Sequence, residues 1–145
     1  MSWNPEKTLV FRLIAAGHMV RRAVQAPLEA FRLKPGDDAI LIALSVLPDL
    51  TVDDLLAATG LNVAELARRL RHMEALGLVE TTQAEVVLTA SGTRLAASLM
   101  ALWQDIDEIV AANVAGPVAR NMRKSLKRIA ESLAPEVPVA IDPDA

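Results

Sequence analysis

The stretch 50-LTVDDLLAATGLNVAELARRLRHMEALGLVE-80 contains two short helical patterns that are separated by one tight turn. The first pattern begins at a threonine cap, Thr51, and ends at Gly60. The second begins at an asparagine cap, Asn62, and ends at Gly77. Two short helices joined by a turn that contains glycine are typical of a helix-turn-helix, so this stretch predicts one.

Longer helical patterns precede the quoted stretch. An apolar repeat over about 5–31 predicts a long first helix, which Pro27 is expected to bend or break. A second helix, AILIALSVL at 39–47, follows with Asp37 or Asp38 as its cap. Because this second helix is apolar nearly all round, we expect it to be the central buried one.

The chain after the helix-turn-helix predicts a hairpin and two more helices. The extended runs LVETT and EVVLT are separated only by Gln83 and Ala84, which predicts a minimal β-hairpin over about 78–89. Helical patterns with one interruption then fill 91–133. Residues 134–145 contain three prolines and three acidic residues, which predicts a disordered tail.

The composition favours a single, mainly α-helical domain, which we place at 1–133. The chain has 145 residues and is only 3% aromatic, whereas strands are enriched in aromatic residues. It contains no cysteine, so disulfides and thiolate metal sites are excluded. The N-terminal apolar run at 9–20 is too short to span a membrane and contains an arginine, so we expect a soluble, cytoplasmic protein.

The quoted stretch and the later 88-LTASG-92 resemble MarR-type transcriptional regulators, and the likeness extends over about 8–133. The leucines, caps and turns that carry it are Leu50-Thr51, Leu55, Gly60-Leu61-Asn62, Leu66, Leu70, Met73 and Gly77-Leu78-Val79. The resemblance implies a winged helix-turn-helix with a hairpin wing, and dimerisation helices at about 5–31 and 91–133. It further implies a homodimer that binds double-stranded operator DNA and is often released by a small-molecule effector.

The helix at 62–76 carries the residues that would contact DNA. On a helical wheel, Leu66, Leu70 and Met73 share one side, and Arg, His and Ala side chains lie opposite. Small residues let a helix approach a groove, and arginine contacts phosphate or the N7 and O6 atoms of guanine. The candidate DNA-binding residues are Thr51, Asn62, Ala64, Glu65, Arg68, Arg71, His72 and Ala75. The alternative to a DNA-binding face is an ordinary solvated helix face. Arg69 is expected to form an intrahelical ion pair with Glu65, four residues before it.

The predicted wing departs from the family pattern, whose hairpin is longer and usually carries arginine. Residues 80–92, ETTQAEVVLTASG, contain two acidic residues and no lysine or arginine. From Thr51 to Arg94 there are four arginines and six acidic residues, so this segment has a net charge of −2. Phosphate neutralisation supplies much of the affinity of proteins for DNA. Two hypotheses follow: a DNA-binding regulator with a short wing, or a degenerate winged-helix protein that does not bind DNA and acts as a protein-interaction module or anti-regulator.

Other candidate sites are less specific. His18 and Arg22, one turn apart on the first helix, could hold an anionic effector, although packed histidines are commoner than ligand-binding ones. A basic stripe over 120–128 fits either an acidic partner or the solvated side of a dimer helix. Trp103 is expected in the core and Trp3 at the dimer seam. Two histidines without metal spacing, no phosphate-cradling loop and no nucleophile–base pair argue against an enzyme, a metal site and a cofactor.

Overall fold

The computed structural model describes residues 2–47, 49–82 and 85–133, which form six α-helices and a two-stranded hairpin. In chain order the elements are α1 (Leu9–Ala30), α2 (Asp37–Val46), α3 (Val52–Thr59), α4 (Val63–Ala75), β1 (Val79–Thr82), β2 (Glu85–Leu88), α5 (Ala90–Ala112) and α6 (Gly116–Leu133). This order confirms the predicted winged helix-turn-helix. The described residues form two compact units that divide after Ile109. The predicted tail at 134–145 lies outside the described residues.

The first helix, α1, runs through Pro27 without the expected break. A short 3-10 turn at Pro5–Lys7 precedes α1. The hydroxyl of Thr8 caps α1 by accepting the backbone N–H of Phe11 at 3.2 Å. Pro27 lies in the last turn, where its missing N–H removes one helical hydrogen bond. The buried side chains of Val24 and Leu28 flank it, so packing holds this turn in place.

The start of α2 differs from the prediction, because neither aspartate caps the helix. Gly36 is the N-cap residue, in the left-handed conformation with φ 101°, and no side chain caps α2. Asp37 and Asp38 lie in the first turn with exposed fractions of only 0% and 1%. Ile40 and Leu41 are buried beside them, whereas the C-terminal end of the helix is exposed. The expected central helix is therefore buried mainly in its first half, and its most buried side chains include two acids.

An aliphatic core fills the first unit. Its buried members come from every α-helix and strand of that unit and from three loops: Val24, Leu28, Leu33, Ile40, Leu41, Leu50, Leu55, Leu66, Leu70, Met73, Leu78, Val79, Val86, Ala96 and Leu99. Trp103 is not among them, contrary to the prediction, and its side chain is 37% exposed. Its indole N–H donates to the carboxylate of Asp38 at 3.0 Å. An indole N–H that leaves water needs an acceptor, which Asp38 supplies. With this contact and its partial exposure, Trp103 lies at the edge of the core. Trp3 is exposed.

The wing is an antiparallel hairpin in which Val79 lies opposite Leu88 and Thr82 opposite Glu85. An isolated bridge also joins Thr51 to Glu85, so the residue that caps α3 is attached to β2. The sequence pattern could not indicate this bridge, because a single paired residue has no alternating period.

The last helix, α6, belongs to the second unit, and none of its residues is buried. Its basic side chains Arg120, Arg123, Lys124, Lys127 and Arg128 are exposed, and so are its apolar residues Val118, Met122, Leu126 and Leu133. Lys127 lies 4.0 Å from Glu131, an exposed pair of small energetic effect. In the described part of the chain, no helix has the length and apolar character that a bilayer span requires.

Candidate nucleic-acid interface

The helix-turn-helix begins with a capping box at the start of α3. The hydroxyl of Thr51 accepts the N–H of Asp54 at 3.2 Å, and the Asp54 carboxylate accepts the N–H of Thr51 at 3.0 Å. The backbone N–H of Thr51 and then its hydroxyl hold the pKa of Asp54 below its ordinary value. Gly60 ends α3 in the left-handed conformation, with φ 71°. These contacts confirm the predicted caps and fix the turn from which α4 starts.

The start of α4 is held by its asparagine cap. The side-chain oxygen of Asn62 accepts the N–H of Glu65 at 2.9 Å, which confirms the predicted cap. The first turn beyond it is open, because the side chains of Val63 and Ala64 are both exposed. The reason is that the core covers α4 only from Leu66 onward.

The exposed side of α4 has the composition that the helical wheel predicts. Leu66, Leu70 and Met73 are buried, and the exposed residues include Ala64, Arg68, Arg71 and Ala75. Arg68 and Arg71 are three residues apart and therefore lie close together on one helix face. Between two small residues, they form the positively charged part of this surface.

Arg69 points away from that surface and pairs with Asp37 of α2, not with Glu65 as expected. Its Nη1 atom lies 3.4 Å from Asp37 Oδ1, and its side chain is 21% exposed. An exposed intrahelical pair contributes only about 0.2–0.5 kcal/mol. A fully buried carboxylate without a partner is far costlier, which explains why the guanidinium lies at Asp37.

His72 is half-buried and is attached to the loop before α2. Its Nε2 atom lies 2.9 Å from the backbone carbonyl oxygen of Arg32. Because a carbonyl only accepts hydrogen bonds, this partner assigns the proton to Nε2. That nitrogen is occupied within the protein, so His72 does not share the open environment of Arg68 and Arg71.

The wing presents acidic and neutral side chains. Its exposed described residues include Glu80, Thr81, Thr82 and Glu85. It is braced against α4, because the N–H of Thr81 donates to Glu74 Oε1 at 2.8 Å. The hydroxyl and the backbone N–H of Thr81 hold the pKa of Glu74 below its ordinary value. Sequence reasoning missed this brace, since its two residues lie on different elements and follow no shared period.

The two candidate effector residues, His18 and Arg22, are both exposed on α1. Their neighbour Arg21 instead contacts Asp38, at 2.9 Å. A cavity of about 380 Å³ lies away from them and is lined by Phe31, Leu76, Leu78, Ser91, Arg94, Leu95 and Ser98. Its walls are mainly apolar with one cation, and they come from the end of α1, the end of α4 and the start of α5. No group of three or more His, Asp or Glu residues within the described ranges could hold a metal ion.

Solved structures of MarR-family regulators share this fold. CouR from Rhodococcus jostii RHA1, bound to p-coumaroyl-CoA, has a TM-score of 0.81 and 22% identity, over 93% of this chain and 100% of that one. The S. aureus MepR–DNA complex has a TM-score of 0.75 and 19% identity, over 87% and 98%. A Mycobacterium tuberculosis MarR-family protein in complex with DNA has a TM-score of 0.65 and 26% identity, over 84% and 97%. No family model matches the sequence, and no curated protein does so either.

Proposed function

We propose, from the MarR-type winged-helix fold of the chain, that the protein is a transcriptional regulator that binds DNA as a homodimer and reads the major groove with α4. The observation that carries the proposal is the exposed face of α4, where Arg68 and Arg71 lie between Ala64 and Ala75. In support, two of the similar solved structures are complexes with DNA. A regulator of this kind needs no catalytic residues and acts in the cytoplasm.

Each residue of this face has a chemical role in the proposal. Arg68 and Arg71 contact phosphate or guanine, and the alanines allow the backbone to approach the groove. Glu65, which is half-buried at the start of α4, can accept a cytosine amine. The caps Thr51 and Asn62 lie at the N-terminal ends of α3 and α4, which face DNA in this proposal. His72 and Arg69 contact the protein itself, and they orient α4 instead of contacting bases.

The homodimer is proposed from uncovered apolar surface. Large apolar side chains of α1 are exposed to a degree unusual for a monomer: Leu9, Val10, Phe11, Leu13, Ile14, Met19 and Val20. The apolar residues of α6 are likewise exposed. A second copy of the chain would cover such faces, which accords with the dimerisation helices that the family resemblance implies.

A small-molecule effector is proposed as well. CouR was solved with p-coumaroyl-CoA, and the present chain offers two places for an anionic organic ligand. One is the pair His18 and Arg22 on α1. The other is the 380 Å³ cavity, where Arg94 could meet a carboxylate and Phe31 and Leu95 an apolar body.

Fluorescence anisotropy tests the DNA proposal. The probe is DNA from upstream of the protein's own gene, with scrambled DNA for comparison, at about 50 mM and about 200 mM salt. We expect submicromolar binding with at least about tenfold preference, and a loss of about tenfold or more for the double variant Arg68→Ala, Arg71→Ala. The matched control, Arg120→Ala with Arg123→Ala, removes the same charge from α6 and is expected to bind like the parent.

The acidic wing favours a second candidate function, a winged-helix protein that has lost DNA binding and contacts another protein. Exposed Glu80 and Glu85 would repel phosphate groups, and the exposed Val87 of β2 offers an apolar contact. If a folded dimer bound neither its own upstream DNA nor a panel of genomic fragments at low salt, this second function would replace the first.

A further inference from the structure

Two consecutive carboxylates, Asp37 and Asp38, are the buried charged residues of the described chain. Placing ionised groups in a core is unfavourable unless each one has cations or hydrogen-bond donors around it. The partners of these two side chains therefore identify the elements that they hold together. Those partners differ, although the residues are neighbours in the first turn of α2.

Asp38 joins α2 to the two long helices of the first unit. Its Oδ1 and Oδ2 atoms lie 2.9 Å and 3.1 Å from Nη1 of Arg21 on α1. The indole N–H of Trp103 on α5 donates to Oδ2 at 3.0 Å, and the N–H of Gly36 to Oδ1 at 3.2 Å. Four short contacts satisfy this carboxylate well.

Asp37 joins α2 to the recognition helix with a weaker contact. Its Oδ2 accepts the N–H of Lys34 at 2.8 Å, but Nη1 of Arg69 on α4 lies 3.4 Å from Oδ1. The Nε atom of Arg69 is buried and has no hydrogen-bond partner. Its guanidinium also lies over Gly36, where a Cβ would meet Cζ at 3.2 Å. Since a buried donor without an acceptor costs free energy, the contact between Asp37 and Arg69 stabilises less than the contacts of Asp38 do.

A second contact attaches α4 to the loop between α1 and α2. His72, three residues after Arg69, donates to the carbonyl of Arg32 at 2.9 Å. Arg32 itself has a left-handed backbone, with φ 61°, so the carbonyl is presented from an uncommon conformation. The loop before α2 and the first residue of α2 thus each contact α4 once, and Asp38 fixes the start of α2 to α1 and α5.

We infer that Asp37 and Asp38 are positioning residues that set the orientation of α4, so that DNA binding through Arg68 and Arg71 depends on Arg21 and Trp103. This inference deepens the proposed function and rests on it for its DNA consequence. The physical link itself does not require DNA. Loss of Arg69 should alter the surroundings of Trp103, and loss of the Trp103 indole should alter the presentation of α4.

Fluorescence of Trp103 tests the link in the absence of DNA. The chain has two tryptophans, so Trp3→Phe leaves Trp103 as the single reporter. In this background, Arg69→Gln is compared with Arg68→Gln, which removes the same charge from the exposed side of α4. We expect Arg69→Gln to shift the emission of Trp103 and change its quenching by acrylamide, and Arg68→Gln to leave both as in the parent. Equal spectra and quenching for the two folded variants would overturn the inference.

A variant that does not fold is replaced. If circular dichroism shows that Arg69→Gln is unfolded, Arg69→Lys takes its place, because it keeps the charge but cannot reproduce the planar guanidinium contact. The same two outcomes then decide the link.

DNA titration tests the consequence. We expect Trp103→Phe, which removes the indole donor but no proposed DNA contact, to raise Kd about tenfold over that of the parent. A merely structural defect would instead reduce the binding-competent fraction at an unaltered Kd, and that result would overturn the positioning role. If the parent binds no DNA, the proposed function fails, while the fluorescence comparison still supports or overturns the link.

Discussion

Replacement of Gly92 by alanine is expected to destabilise the protein strongly. Gly92 lies at the start of α5, and a Cβ at this position would lie 2.0 Å from the carbonyl oxygen of Leu78 and 3.2 Å from Cδ2 of Leu88. The carbonyl is not free to move away, because it accepts the N–H of Thr89 at 3.0 Å. The hydroxyl of Thr89 also donates to the carbonyl of Gly77 at 2.6 Å, which ties α5 to the end of α4.

The size of the effect follows from these distances. A carbon–oxygen contact needs about 3.3 Å, so the two backbones must separate by roughly 1 Å. Overpacking of this kind costs about 1–3 kcal/mol, and losing the two Thr89 hydrogen bonds costs about 1 kcal/mol each. The better helix propensity of alanine offsets about 1 kcal/mol. We therefore expect Gly92→Ala to lower the free energy of unfolding by about 2–4 kcal/mol.

Urea unfolding of the parent and of Gly92→Ala at equal protein concentration measures this loss. The matched control is Gly17→Ala in α1, where an added Cβ has no heavy atom within 4 Å. It is expected to gain about 0.5–1 kcal/mol, since alanine favours a helix over glycine. A Gly92→Ala midpoint equal to or above that of the parent would refute the close approach of α5 to the residue before β1.

Three further predictions concern single residues. The pKa of Glu74 is lowered by its hydrogen bonds to Thr81. The contact is therefore fully present above the ordinary glutamate pKa of about 4.3 and is lost as the pH falls through the lowered value. Protection of the Thr81 amide from hydrogen exchange should fall in that acid range in the parent and stay constant in Glu74→Gln. Asn62→Ala removes the cap of α4 and should lower the free energy of unfolding in urea by about 1 kcal/mol. An unchanged free energy of unfolding would show that Asn62 does not cap the helix. Ile14→Glu places a charge on the exposed apolar side of α1 and should convert the proposed dimer to monomer in light scattering. A dimer that persists would exclude this face from the interface.

The fold was predictable from sequence because its deciding signals are local. The caps Thr51 and Asn62 and the glycines at 60 and 77 each act within one turn of a helix, so a single segment contains the whole signal. The buried side of α4 follows in the same way from helical periodicity. Pro27 misled the prediction, because burial of its neighbours, a tertiary effect, holds the last turn of α1.

The partners behind the candidate site were not predictable, because they are distant in sequence. Asp38 contacts residues 17 and 65 positions away, and Arg69 contacts one 32 positions away. His72 has the pattern of a surface residue, yet its partner carbonyl lies 40 positions away. Side-chain periodicity shows which residues share a helix face, but it gives no information about which loop approaches that face.

The charge distribution and the buried network together define what kind of DNA binding this fold can support. In the proposed homodimer, two arginines on each α4 allow about four phosphate contacts, so the slope of log affinity against log salt should be no steeper than about −3.6. Affinity that does not come from phosphate must come from base contacts, which require α4 to be held in one orientation. Rigid presentation lowers the entropic cost of binding. With an acidic wing, the proposed regulator would therefore depend on the loop before α2 and on Asp37 and Asp38 more than a regulator with a basic wing would. Loss of those contacts should reduce the preference for its own DNA along with the affinity.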